Sequence, residues 1–246
     1  MNEQRTNEYD QPIGPEVVGW TPRQMPPREA MVGRFARIEP LDVGRHAADL
    51  YAAYSTAADG RDWTYRFSGP DPTFDDFLAW ATVAAASTDP MHHAIIDVTT
   101  GKAVGTAAYL RIDVTHGVIE IGNIAYSPSL QRSPLATETM YLFMRRVFDE
   151  LGYRRYEWKC DHHNARSRSA AARYGYTFEG IFRQAVMYKG RSRDTAWFAI
   201  IDREWPAVRA AYEQWLDPSN FAADGTQLSK LSDLTSAALA SVTSTP

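Results

Sequence analysis

The sequence predicts an α/β fold in which strands and helices mix around a site left open in one sheet. Three observations carry that expectation. Between Arg34 and Leu216, segments with the twofold alternation of strands repeatedly give way to segments with apolar residues at helical spacing. Three strand-like runs then follow one another, the first two joined by a hairpin turn at Thr99-Thr-Gly-Lys102. The third run stops at a Pro-Ser turn, and a short polar loop leads into a long amphipathic helix.

In chain order, Arg34–Glu39 reads as a strand. Val43–Thr56 reads as a helix, with Leu50, Tyr51 and Tyr54 on one face. Thr73–Ser87 is a second helix, N-capped by Asp71 or Thr73 and carrying Phe74, Phe77, Leu78 and Val83. The three strands are His93–Val98, Ala103–Leu110 and Val118–Tyr126. Leu135–Gly152 has the strongest helical period, with Met140, Phe143, Val147 and Leu151 aligned. Tyr156–Asp161 is a strand, Ala165–Tyr174 a helix closed by Gly175, Thr195–Asp202 a strand and Glu204–Leu216 a final helix.

The ends differ in composition. Residues 1–30 hold five of the 14 prolines and almost no periodic pattern. They are expected to form a proline-rich extension, disordered over Asn2–Asp10 and extended near Trp20, which would anchor it. Residues 217–246 form a polar tail, expected to be flexible apart from one weak amphipathic helix through Leu228, Leu231, Leu234 and Ala238. A domain over 31–216 remains, and 44% hydrophobic content suffices for one core. A formal charge of −4 gives no general attraction to nucleic acid. One cysteine, Cys160, excludes an internal disulfide, and no apolar run approaches the ~20 residues that span a membrane. The start is polar and acidic, so a cytoplasmic protein is expected.

The loop after the third strand contains Gln131-Arg-Ser-Pro-Leu-Ala136. Ser133 suits an N-cap and Pro134 a first helical position, and such a helix start binds phosphate well. Downstream come Asn164-Ala-Arg-Ser167 and Gly175-Tyr-Thr-Phe-Glu-Gly180; upstream lies Gly33-Arg-Phe-Ala-Arg-Ile-Glu-Pro-Leu41. In this order and spacing the segments resemble the GCN5-related N-acetyltransferase (GNAT) superfamily, and within it the branch of the ribosomal-protein N-terminal acetyltransferases (RimJ/RimL-like). The resemblance spans roughly Gly33 to Leu216. It implies a mixed, mostly antiparallel central sheet flanked by helices, with a splayed central strand pair holding acetyl-CoA.

On that resemblance, the backbone N–H groups of Arg132, Ser133, Leu135, Ala136 and Thr137 would cradle the pyrophosphate, beside Gln131. Pro134 replaces the usual glycine and removes one donor. Ile124, Ala125 and Tyr126 would run along the pantetheine arm, with Asn164 contacting it or simply capping its helix. Arg168 would meet a CoA phosphate. Ser167 would lie near the thioester as acid or water-holder. The tyrosine acid of many relatives falls here at Ala171, and Tyr174 is three positions on. Glu120 is expected to be the base: it lies eleven residues before Gln131, as in the histone acetyltransferases, and interrupts an apolar strand. Desolvation there would raise its pKa toward working pH; the alternative is a structural carboxylate paired with an arginine or a backbone amide. The glutamate that follows a Lys/Arg-Gln-Ala triplet in the ribosomal-protein branch is absent, since Arg183-Gln-Ala185 precedes Val186.

The acceptor is expected at Gly60–Pro70, with Trp63 and Tyr65 stacking on it and Asp62 attracting its ammonium group. Tyr188–Trp197 would form the opposite wall. His92-His93 and His162-His163 do not predict a metal, since adjacent strand residues face opposite ways. Cys160 is read as a small apolar packing group. The expected partners are therefore acetyl-CoA and an amine, with no metal, nucleic acid or membrane, in a monomer or homodimer. A small amine is favoured over a protein N-terminus; a catalytically silent CoA-binding module is the rival from another class.

Overall fold

The structure is a computed structural model that describes residues 5–243. Its elements are β1 (Arg5–Thr6), β2 (Pro12–Ile13), β3 (Met31–Val32), β4 (Ala36–Pro40), α1 (Val43–Tyr54), α2 (Phe74–Ala86), β5 (Met91–Asp97), β6 (Ala103–Asp113), β7 (Val118–Tyr126), α3 (Pro134–Arg145), β8 (Arg155–Asp161), α4 (Ala165–Arg173), β9 (Thr177–Tyr188), β10 (Arg191–Ile201), α5 (Trp205–Leu216) and α6 (Leu231–Thr243). A 3-10 turn at Gly60–Trp63 follows α1, and a π turn at Arg146–Glu150 extends α3.

Eight strands form one sheet in the order β3-β4-β5-β6-β7-β8-β10-β9. Every adjacent pair is antiparallel except β7 and β8. A parallel pair needs a crossover, and α3 supplies it. This mixed, mostly antiparallel sheet matches the expectation. Alternation along β5 sorts the layers: Ala94 and Ile96 pack with Leu50 of α1 and Phe77 of α2, whereas Met91 and Ile95 join the core around α3. Helix α3 is buried along almost its whole length, from Leu135 to Met144.

Buried polar contacts lock α3 to the sheet edge. The Glu138 carboxylate accepts hydrogen bonds from the backbone N–H groups of Arg34, Phe35 and Ala36 at 2.9, 2.6 and 2.7 Å. A side chain at Gly33 would run into that carboxylate. The Gly33–Ala36 turn that leads into β4 is thus where α3 docks.

Three expectations about the ends change. Arg5–Thr6 pair with Pro12–Ile13 around an Asn7 turn, so the stretch read as disordered forms a small hairpin, while Asn2–Gln4 lie outside the described residues. Trp20 does anchor its segment: its Nε1 donates to Thr115 O at 2.9 Å, and the guanidinium of Arg23 lies over its ring. At the other end α6 packs on α5, with Leu231 fully buried, and Asn220 pins the preceding loop through Trp215 O and the Ser229 N–H. Leu228 lies before the helix and is exposed. Among the described residues no helix is long and apolar enough to cross a membrane.

Candidate active site

The site begins where the parallel pair separates. Pairing of β7 with β8 ends at Ile121↔Trp158, although β7 continues to Tyr126 and β8 to Asp161. On its other side β7 carries a bulge: Thr106 pairs with Ala125 and Ala108 with Gly122, leaving Asn123 and Ile124 opposite Ala107, with Asn123 at φ 48°. Past Ile121 and Trp158 the two strands are unpaired, which leaves a slot between the backbones of β7 and β8.

The loop after β7 closes one end. Ser133 caps α3 by accepting from Ala136 N at 3.1 Å, and Thr137 N bonds to Ser133 O. These two N–H groups, expected in the phosphate cradle, are therefore already used within the helix. Those of Arg132, Ser133 and Leu135 make no hydrogen bond among the described residues. Arg132 has φ 58°, a left-handed turn of the kind that directs successive N–H groups to one side. Ala136 is buried. Arg173, at the end of α4, donates from both terminal nitrogens to Thr137 Oγ1 at 3.2 Å. It brings a cation to the start of α3.

Along the slot, Ala125 O accepts from Tyr54 OH and Tyr126 O from Gln131 Nε2. Burial pushes the Tyr54 hydroxyl up to about 12, so it stays a proton donor. Across from β7, Asn164 caps α4 by accepting from Ser167 N at 3.1 Å. The Ser167 hydroxyl accepts from Trp158 Nε1 at 3.0 Å. Cys160 lies beside Ser167; burial raises the thiol, and the Ser167 contact only partly offsets this, which keeps it an uncharged packing group. Arg168 donates to His162 O, and its Nε has no partner.

Glu120 is buried, as expected of a base, but it is not in apolar surroundings. It sits opposite Leu110 of β6. Its Oε2 accepts from Arg111 Nη1 at 2.7 Å and Lys159 Nζ at 2.9 Å. Lys159 is also held by Glu157 at 2.6 Å and lies 3.9 Å from the Trp197 ring centroid. The apolar neighbours that framed Glu120 in the sequence, Ile119 and Ile121, point to the opposite face. The free oxygen, Oε1, looks toward Gly122, where the splay begins. The missed partners had a signal: Arg155, Glu157 and Lys159 alternate with Tyr156, Trp158 and Cys160 and so share one face of β8.

The Gly60–Pro70 loop, where the acceptor was expected, is tied to its neighbours. Asp62 accepts from Gln131 Nε2 at 3.1 Å and from Arg166 Nη1 at 3.2 Å, so it is engaged and not a bare carboxylate. Trp63 O accepts from Lys189 Nζ at 2.7 Å, and Phe67 meets the Tyr188 ring edge-on. Trp63 and Tyr65 are half-buried. Tyr188 OH donates to Asp161 Oδ2 at 2.7 Å. Burial works against the charged Asp161, but bonds from Tyr188 and His163 outweigh it and hold the carboxyl below its usual range. The segment expected as the opposite wall, Tyr188–Trp197, falls in the β9–β10 hairpin, whose outer strand β9 the sequence pattern did not reveal. The paired histidines do other work: His93 packs edge-on to Tyr109 and Phe143, and burial lowers it to about 3.

Comparison with known proteins agrees with this fold. The model of the acetyltransferase (GNAT) domain matches residues 37–177. The chain is similar to the crystal structure of a GCN5-related N-acetyltransferase from Brucella melitensis at 47% identity and TM-score 0.88, over 89% of this chain and 100% of that one. It is similar to a probable GNAT-family acetyltransferase from Chromobacterium violaceum ATCC 12472 at 38% identity and TM-score 0.74, over 80% and 98%. The microcin C7 self-immunity acetyltransferase MccE, in complex with acetyl-CoA and AMP, shares the fold at 17% identity and TM-score 0.59, over 69% and 93%. No curated protein matches the chain.

Proposed function

The chain belongs to the GNAT acetyltransferase family, and from that premise we propose that it acetylates a small primary amine by direct attack within a ternary complex. The observation that carries the reading is the slot where β7 and β8 part, followed by three unpartnered N–H groups at the start of α3. Bound there, acetyl-CoA supplies an activated acyl group as a thioester. Arg132, Ser133 and Leu135 would hold its pyrophosphate by backbone N–H groups, with Arg173 adding charge in place of the donor lost at Pro134. The Ile124–Tyr126 backbone and Asn164 would line the pantetheine arm, and Arg168 would meet a CoA phosphate.

Three side chains take part in the proposed proton movements and positioning. Glu120, anchored through Oε2, would use Oε1 to accept the amine's proton through a water near Gly122. Ser167 receives a hydrogen bond from Trp158 and lies beside Cys160; its own proton would turn to the departing thiolate. Trp63 and Tyr65 would hold the acceptor, whose approach is narrowed by the Lys189–Trp63 and Phe67–Tyr188 contacts. That narrowing favours a small amine over a polypeptide N-terminus, in line with Val186 standing where the ribosomal-protein branch places a glutamate. The single unpaired Cys160 suits a reducing cytoplasm, which we take as the place of action. The test is a panel of small amines and peptides read by CoA release. Turnover confined to small amines supports the proposal; faster turnover of peptides would shift the acceptor to a protein N-terminus. Acetyl-CoA binding without thiol release from any acceptor would make the chain a silent binding module.

A further inference from the structure

We infer that the C-terminal segment from Trp215 through α6 belongs to the cofactor site. Trp215 and Thr235 are positioning residues that hold the Arg173 guanidinium at the start of α3, where it meets the pyrophosphate of acetyl-CoA. The inference deepens the reading above and rests on it for the place of the pyrophosphate.

Arg173 is the last residue of α4, and both its terminal nitrogens reach Thr137 Oγ1 in the first turn of α3. A side chain so rich in rotamers holds one geometry only when its surroundings fix it. Among the described residues no carboxylate pairs with Arg173; its guanidinium instead lies 5.3 Å from the Tyr174 ring centroid and 5.4 Å from that of Trp215. Trp215 is buried, and its orientation is set from beyond α5: its Nε1 donates to Gln227 Oε1 at 2.9 Å, and Phe221 meets its ring edge-on. The backbone that carries the arginine is held as well. The buried Thr235 hydroxyl of α6 lies 3.2 Å from Arg173 O and shares its proton with Leu231 O at 3.0 Å. Tyr212 OH donates to Tyr174 O at 3.2 Å. At Gly175 a Cβ would meet Val208 of α5 at 3.3 Å and Thr235 of α6 at 3.4 Å, so both helices close on this turn.

A cation acts on a phosphate through distance, so a guanidinium that swings into solvent contributes little and one held in place contributes more. Thr137 takes one N–H from each terminal nitrogen of Arg173, and the remaining N–H groups stay available to phosphate oxygens, which the planar fork suits. Pro134 leaves this helix start short of one backbone donor, which raises the value of a cation supplied by a side chain. The segment expected from its composition to be a flexible polar tail thus holds the residues that keep this cation in place.

The test is calorimetry on the full chain with CoA, dephospho-CoA and pantetheine. The first two carry the pyrophosphate and pantetheine lacks it. Arg173→Met should weaken CoA and dephospho-CoA about tenfold and leave pantetheine unchanged. Trp215→Leu removes the ring, and Thr235→Val keeps the shape while removing the hydroxyl. Each should weaken the first two probes about threefold or more and spare pantetheine. Combined with Arg173→Met, neither should weaken CoA further, because both act through that residue. Melting temperature reports folding, and Thr235→Val decides the matter if Trp215→Leu does not fold. CoA affinity within about twofold of the parent in each of these variants that folds, equal losses for CoA and pantetheine, or losses that add to that of Arg173→Met would overturn the inference. In those cases a tenfold loss in Arg173→Met would still leave the pyrophosphate where the proposed function puts it. A parent chain that binds CoA no tighter than pantetheine would overturn that placement and the inference together.

Discussion

Replacing Glu120 by Gln separates the two roles this carboxylate can have. The substitution keeps the shape and removes the charge that faces Arg111 and Lys159. Leaving a buried ion without a partner costs about 3–5 kcal/mol. Here the cost should be smaller. Lys159 keeps Glu157 at 2.6 Å and the Trp197 ring, so it is not orphaned. The Arg111 side chain is 57% exposed and returns to water. A loss of about 1–2 kcal/mol is therefore expected, read as a lower urea midpoint with an unchanged slope. Loss of general-base assistance should cost kcat about 10²–10³-fold, or roughly 2.7–4 kcal/mol, with KM for acetyl-CoA nearly constant. The assays are urea unfolding and thiol release across pH, where the rising limb should flatten. If kcat falls less than about threefold while the stability loss appears as expected, Glu120 is a structural anchor of the β7–β8 splay and the base lies elsewhere.

Three further outcomes are expected. Trp63→Ala and Tyr65→Ala should each raise KM for the amine roughly threefold to tenfold without moving KM for acetyl-CoA; a fall in melting temperature with both constants shifting together would make these rings packing elements. Glu138→Ala should destabilise the chain by about 3–5 kcal/mol in urea unfolding, because three backbone N–H groups lose a charged acceptor, and a cost below about 1 kcal/mol would refute the docking role of the Gly33 turn. His93 is depressed to about 3 by burial, so from about pH 6.5 down to 3 the unfolded chain binds a proton that the folded chain does not. Its contribution is full above that window and is lost on acidification at about 1.4 kcal/mol per pH unit. His93→Phe should make the pH 6–4 slope shallower by that amount, and parallel slopes would refute it.

Much of the architecture was legible because burial leaves a period. Helix α2 shows its Thr73 cap and apolar stripe, and β7 its apolar run into a capped helix. Strand β9 did not show itself, for a related reason: it is the outermost strand, exposed along most of its length, and carries Phe178, Ile181, Phe182 and Met187 in no alternation that burial enforces. The start of β10 was placed at Thr195 instead of Arg191 because the hairpin tip is polar and solvent-facing. The C-terminal helix was visible through Leu231 and Leu234, but its docking on α5 was not, since docking depends on a surface that exists only after α5 has folded.

The chemistry divides along the same line. The sequence by itself determined the local devices: Ser133 and Pro134 starting a helix, Asn164 capping another, a glutamate in an apolar strand, and two aromatics in an aperiodic loop. Each depends on neighbours within a few residues, where backbone geometry is nearly dictated by residue type. The tertiary structure alone decided which charges meet. Lys159 reaches Glu120 from a strand more than thirty residues away, Arg173 turns inward onto Thr137, and Asp62 joins the loop before α3 to α4. Such pairings follow from sheet register and crossover, since Coulomb energy and desolvation depend on distance in space and not on separation along the chain.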